Sequence, residues 1–276
     1  MGLRTLTVVT LVLAGLMQAP AVIAPSRAAD APSVRLYAAG SLRSAMLEIA
    51  KGFTAAYGLT VDANFKSSGL LREGFEQGTA GDVFASADMG NPQKLEQEGL
   101  AGPVVLFARN QLCAIARPGL ALTSATLLAS ILDPAVKLGT STPKADPSGD
   151  YAWAMFAKAD SVMPGSRAKL EAKALQLMGA PASPPPPDGL TPYAWHLKEG
   201  RADIFLAYCT GAKEALAQLP GATSVALPPE LATGADYGLA VLKVADAGKA
   251  NLLAMYILSA AGQGVLAKYG FEAPLQ

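Results

Sequence analysis

Histidine is almost absent from this chain, and so is any imbalance of charge. One histidine, His196, occurs in 276 residues, and 22 Lys+Arg balance 22 Asp+Glu. A nucleic-acid-binding surface needs a basic excess or a basic stripe, and the sequence has neither. There is no H-E-x-x-H pair, no cysteine cluster with zinc spacing, no glycine loop followed by a phosphate-binding lysine, and no G-x-S-x-G elbow. A lone histidine beside Trp195 is more often a packed residue than a catalyst. Hydrolytic, metal-dependent and nucleotide chemistry therefore lack their usual side chains. The charged fraction is low, at 16%, against 51% hydrophobic, which is the balance of a folded chain with a substantial core.

The N-terminus reads as a secretory signal. Arg4 supplies a positive start, Leu6 to Met17 is apolar, and Ser26-Arg27-Ala28 places small residues for cleavage after Ala28. The apolar run is short for a membrane span, which needs ~20 residues; an N-terminal anchor is the alternative. The expected destination is the periplasm. Two cysteines, Cys113 and Cys209, then meet an oxidising compartment, where they either form one disulfide or stay as two buried thiols.

Beyond the signal, strand-like and helix-like segments alternate. Val34 to Ala39 is a short strand, and Leu42, Ala45, Met46, Ile49, Phe53 and Ala56 then recur at helical steps up to Gly58. Thr60 to Phe65 and Val83 to Ser86 are strands; Leu70 to Gly78 and Pro92 to Glu98 are helices. Further along, strands are expected at Leu112 to Ala116, Val136 to Thr140, Ile204 to Tyr208 and Tyr237 to Val241. Helices are expected at Leu122 to Leu132, around Tyr151 to Phe156, at Ser166 to Met178, Thr191 to Glu199 and Gly211 to Gln218. Two more fall within Asn251 to Tyr269, broken at Gly262. Pro184 to Pro187 forces an extended surface loop. This rhythm predicts an α/β chain of mostly parallel sheet flanked by helices. Its length fits two lobes, with 29–110 plus 236–276 in the first and 111–235 in the second.

Hydroxyl-bearing residues gather where strands give way to helices. Ser41 follows the first strand at an N-cap position, Ser67-Ser68 the second, Ser148-Gly149 opens a later helix, and Tyr208 ends a strand before another. Helix N-termini carry unpaired N–H groups and partial positive charge, and open α/β sheets bind ligands at the carboxyl ends of their strands. A serine at a helix start is by itself more often a cap. Together, these junctions point to a site for an anion that only accepts hydrogen bonds. A protonated oxyanion would want one acceptor as well, and the acids beside these junctions are Asp150 and Asp188.

Val34 to Leu42, with Ala-Ala-Gly-Ser-Leu, resembles the opening of the periplasmic molybdate-binding proteins of ABC importers. So do Phe65-Lys66-Ser67-Ser68-Gly69, Gly81-Asp82-Val83-Phe84-Ala85-Ser86-Ala87-Asp88 and the closing Lys268-Tyr269-Gly270-Phe271. The resemblance covers nearly the whole mature chain and is stronger in its first half. It implies a two-lobed type II periplasmic-binding-protein fold, each lobe a mixed, mostly parallel sheet flanked by helices. It also implies a monomeric receptor without catalytic activity that hands molybdate or tungstate to a membrane permease. In that family uncharged donors hold the anion and no side chain ligates the metal. Carried over, Ser41 and Ser68 give hydroxyls, Ser148 and Leu190 give backbone amides, and Tyr208 gives its phenol. No cofactor is implied. A bridge between Cys113 and Cys209 would staple a second-lobe strand behind the site. Gly69 replaces a usual serine, Lys66 adds a charge, and the 145–151 loop is unusually acidic. Alternatives are a receptor of the same fold for sulfate, phosphate or a carboxylate, an exported enzyme using Tyr208 or Asp150, and an adaptor with a vestigial cleft.

Overall fold

The computed structural model describes residues 1–2, 33–243 and 246–274. Apart from its first two residues, the expected signal peptide over 1–28 lies outside the described residues. β1 (Ser33–Ala39) alternates buried Val34, Leu36 and Ala38 with partly exposed Arg35 and Tyr37, a period of two. A 3-10 turn, Gly40–Leu42, leads into α1 (Arg43–Tyr57). This helix buries Ala45, Met46, Ile49 and Phe53 along one face and ends at Gly58, whose φ of 68° suits glycine. β2 (Thr60–Lys66), α2 (Ser68–Glu76), β3 (Val83–Ala85) and α3 (Gly90–Gln97) continue the alternation.

β4 (Val105–Ala116) is the longest strand described. After it come α4 (Leu127–Leu132), β5 (Leu138–Ser141), α5 (Pro147–Val162), α6 (Ser166–Lys173) and β6 (Leu175–Met178). Then follow α7 (Pro192–Lys198), β7 (Ile204–Tyr208), α8 (Cys209–Gln218), β8 (Thr223–Ala226) and β9 (Gly234–Val241). The chain closes with α9 (Ala247–Leu258) and α10 (Ala260–Lys268). Among the described residues no single helix is long and apolar enough to cross a membrane.

The strands form one mixed sheet in the order β2-β1-β3-β9-β4-β7-β5-β6, with β8 also paired to β4. β1 is parallel to β2 and β3, and β5 is parallel to β6 and β7. β4 joins the two parallel groups. It runs antiparallel to β9 over Val105–Gln111, to β7 over Leu112–Ala116 and to β8 over Cys113–Ala116. All five residues of β7 are buried, as expected of a central strand covered on both faces.

Several expected elements differ in extent, each for a physical reason. The helix expected over Ser166 to Met178 stops at Lys173, and Leu175–Met178 is a strand paired to β5. Its Leu170, Ala174 and Leu177 fit helical spacing, but the open edge of β5 wins. β4 begins at Val105, seven residues before the expected start, because its first half pairs with β9 rather than with β7. β8 was not expected. The C-terminal helices break at Ser259, not Gly262, because the Ser259 hydroxyl caps α10 by accepting from the Gly262 amide.

Candidate functional site

The parallel strands deliver their carboxyl ends to one cleft. Ser41 arrives from β1, Ser67 and Ser68 from β2, Asp146 from the loop after β5, and Tyr208 from the end of β7. All of these line a cleft of about 1220 Å³, together with Leu190, Tyr193 and Thr210. The Ser41, Ser68 and Tyr208 positions picked out in the sequence thus converge.

Their hydrogen bonds decide what each can offer a ligand. Ser41 does not cap α1, which starts at Arg43 with no side-chain cap. Its Oγ lies 3.1 Å from the Tyr237 hydroxyl. Asn110 Oδ1 accepts from the Gln111 amide at 2.9 Å, so Nδ2 is the end that donates to Tyr237 at 3.2 Å. Either hydroxyl can donate in the Ser41–Tyr237 bond; when Tyr237 donates, the Ser41 proton is left for the cleft. Ser68 Oγ, fully buried, accepts from the Ala87 amide at 3.0 Å and likewise keeps its proton. Thr210 Oγ1 accepts from Asn110 Nδ2 at 2.8 Å, which makes it a further donor that sequence reading missed. The Tyr208 hydroxyl has one long contact, 3.5 Å to the Ala87 carbonyl, and burial raises its pKa well above the usual range. It therefore stays a donor at any physiological pH.

Two expected donors are otherwise engaged. The Ser148 amide donates to Asp146 Oδ1 at 3.1 Å, and the Leu190 amide donates to the Pro187 carbonyl at 3.1 Å. Both are consequences of local turns: Asp146 is the N-cap of α5, and Leu190 closes the turn after the proline run. Ser148 Oγ is buried without a partner, as is Ser141 Oγ at the end of β5.

Asp146 is the residue the sequence reading overlooked in favour of Asp150 and Asp188. Asp-Pro-Ser at a helix start is an N-cap followed by proline at the first turn, so its position was readable. Its consequence was not. The carboxylate accepts from Ser148 N–H and, at 3.4 Å, from the Ser67 hydroxyl. Burial, the largest influence, pushes its pKa up to about 6. Gly69, which stands where a serine was expected, has a tight reason. Its amide donates to the Ala145 carbonyl at 3.1 Å, and a Cβ there would lie 2.4 Å from the Lys144 carbonyl oxygen. Lys66, Lys213 and Arg43 also line the cleft, and the Arg43 guanidinium lies 4.6 Å from the centre of the Phe65 ring. Cations in a cleft raise the local concentration of anions.

The disulfide Cys113–Cys209 joins β4 to the first residue of α8, next to Tyr208. Tyr208 packs edge-on against Tyr237, with centroids 5.6 Å apart, and against Tyr151. Among the described residues no group of three or more His, Cys, Asp or Glu could hold a metal ion.

His196 lies away from the cleft. It is buried between Trp195 and Phe205, and neither ring nitrogen has a hydrogen-bond partner. Burial, then nearby Arg201, lowers its pKa. The unfolded chain, with an ordinary histidine pKa of about 6.5, binds a proton that the folded chain refuses. Stability from this site is full above that value and falls as the pH drops below it. Asp146, with its raised pKa, acts in the opposite sense. Urea denaturation at pH 7 and pH 5 should therefore show a smaller acid loss in His196→Phe than in the parent chain. Equal losses would mean that the ring is not held neutral.

Residues 34–272 match the family model for bacterial extracellular solute-binding proteins. An uncharacterized protein of Pasteurella multocida is 32% identical over 239 residues, covering 86% of this chain and 98% of its own. The molybdate-binding protein of Mycobacterium bovis is 27% identical over 288 residues, 99% of this chain and 98% of its own. Among solved structures, the sulfate-binding protein of Mycobacterium tuberculosis superposes with a TM-score of 0.72 at 16% identity, covering 88% of each chain. The mixed sheet and this superposition give the two-lobed, type II periplasmic-binding-protein fold. The chain belongs to the bacterial extracellular solute-binding protein family.

Proposed function

We propose that this protein is the periplasmic receptor of an ABC importer for a small tetrahedral oxyanion, molybdate or tungstate. The observation that carries the reading is the convergence of Ser41, Ser68 and Tyr208 on one cleft: the Ser68 oxygen accepts and keeps its proton, Ser41 keeps its own when Tyr237 donates to it, and the Tyr208 proton is engaged only by a long 3.5 Å contact. Thr210 adds another. Hydroxyl groups on opposite walls suit a ligand whose every oxygen accepts, and charge-assisted bonds of this kind are worth ~1.5–3 kcal/mol each. The anion is held through its oxygens, with no side chain bound to the metal. The 27% identity with a molybdate-binding protein over almost the full chain supports the choice of ligand.

β4 changes partners between Gln111 and Leu112, which supports a lobe boundary close to the proposed one, 29–110 plus 236–276 against 111–235. Ligand pockets are typically ~300–1,000 Å³, so a cleft of about 1220 Å³ must tighten around so small an anion. Hinge closure of one lobe on the other is the established motion of periplasmic binding proteins. The closed monomer then docks on the membrane permease, and opening there releases the anion.

A second reading, a same-fold receptor for hydrogen phosphate, is favoured by Asp146, an acceptor in an otherwise donor-lined cleft. Calorimetry of the mature chain against molybdate, tungstate, sulfate and phosphate separates them. Molybdate and tungstate should bind together and ahead of sulfate, which is smaller at the same charge. Heat from phosphate alone would install the second reading, and silence from all four would end both.

A further inference from the structure

Asp146 presents a carboxylate where the proposed ligand presents only acceptor oxygens. The surrounding groups do not neutralise it. Ser67 at the N-cap of α2 and Ser141 from β5 face it as hydroxyls, Tyr193 from α7 and Tyr208 from β7 as buried phenols, and Asp150 from the first turn of α5 as a like charge. Among the described residues no lysine or arginine pairs with it. Ser141 and Ser148 beside it are buried, so the carboxylate is surrounded by hydroxyl and amide groups and, among the described residues, by no cation. Ionised carboxylate and dianion cannot share such a corner without a proton between them.

We propose that Asp146 is the specificity-determining residue of the cleft: the anion it admits is accompanied by one proton, carried on the ligand or taken up by the carboxyl. The inference rests on the oxyanion reading above. The proton balance is simple. A hydrogen oxyanion brings its own O–H and donates it to ionised Asp146, and nothing is exchanged with solvent. A bare dianion such as molybdate binds with uptake of one proton from solvent, after which the neutral Asp146 donates its O–H to a ligand oxygen. The raised pKa of about 6 lowers the cost of the second route near neutral pH and makes it steeper above. Asp146 therefore discriminates by hydrogen-bond polarity, in addition to any selection by cavity size.

The test is calorimetry of the mature chain with molybdate and with hydrogen phosphate, at pH 6, 7 and 8, in paired buffers of different ionisation enthalpy. Molybdate should be bound at pH 8 with uptake of about one proton, its affinity falling about tenfold per pH unit between 7 and 8. Any phosphate binding at pH 8 should take up none. Asp146→Asn keeps an N-cap for α5, since asparagine caps as well as aspartate. It should abolish the proton uptake, flatten the pH dependence for molybdate, and raise molybdate affinity at pH 8 by about tenfold or more. It should also weaken phosphate relative to molybdate. Molybdate binding by the parent chain with no proton uptake and a flat affinity from pH 6 to 8 overturns the role of Asp146 and leaves the receptor reading standing. This measurement does not depend on the variant folding. If neither anion binds at any pH, the receptor reading falls, and the role of Asp146 falls with it.

Discussion

Ser41→Ala combined with Ser68→Ala should weaken molybdate binding by about two to four powers of ten. Ser68 holds its proton ready because its oxygen already accepts from the Ala87 amide, and Ser41 does so when its oxygen accepts from the Tyr237 hydroxyl. Two charge-assisted hydrogen bonds at ~1.5–3 kcal/mol sum to about 3–6 kcal/mol, and each 1.4 kcal/mol is a factor of about ten. Both single variants should also lose stability. Ser41 caps no helix, but its loss leaves the buried Tyr237 hydroxyl with Asn110 as its remaining partner. Ser68→Ala strands the buried Ala87 N–H, which costs about 1–3 kcal/mol. Tyr237→Phe removes the group that can turn the Ser41 proton outward and should give a smaller loss of affinity than Ser41→Ala. Calorimetry and urea denaturation on the same preparations separate binding from folding. An unchanged affinity in the double variant would mean that these hydroxyls are structural and that the anion, if any, lies elsewhere.

The first half of the chain was more legible than the second, and the reason is local. β1, α1, β2 and α2 are each set by short-range signals: strict alternation in Val34-Leu36-Ala38, three- and four-residue steps from Leu42 to Phe53, and a stop at Gly58. β6 and β8 exist only because a distant edge is open to them. Leu175–Met178 pairs with β5 and Thr223–Ala226 with β4, and neither partner can be seen from within the segment. At the site the same division holds. Ser41, Ser68 and Tyr208 sit at strand ends that the rhythm of elements already marks. Asn110, Tyr237 and Thr210 are brought together behind the cleft by contacts made across 100 or more residues of sequence, which no spacing reveals. Asp146 was visible as a cap and invisible as a charge in a cleft, because its exposure depends on how the loop after β5 packs against α2.

Removing the Cys113–Cys209 bridge should cost stability far more than it costs binding. The bridge closes a sequence separation of 96 residues, and a loop of that size loses about 4.7 kcal/mol of unfolded-chain entropy in the simplest account. Measured losses for native disulfides run ~2–5 kcal/mol, so Cys113→Ala with Cys209→Ala should lower the melting temperature by about 5–20 °C for a chain of this size. Reducing the parent chain under mild denaturant should reach the same value. Binding is expected to survive because the bridge does not aim Tyr208. That side chain is positioned by the register of β7, where Tyr208 lies opposite Leu112, and by edge packing against Tyr237 and Tyr151. Affinity for the anion should therefore change by less than about threefold at temperatures where both forms are folded, a free-energy difference below ~1 kcal/mol. A variant that melts like the parent would show that the unfolded chain is already restrained across this loop. A variant that melts lower and also loses its ligand would place the bridge among the groups that hold the second wall of the cleft in register.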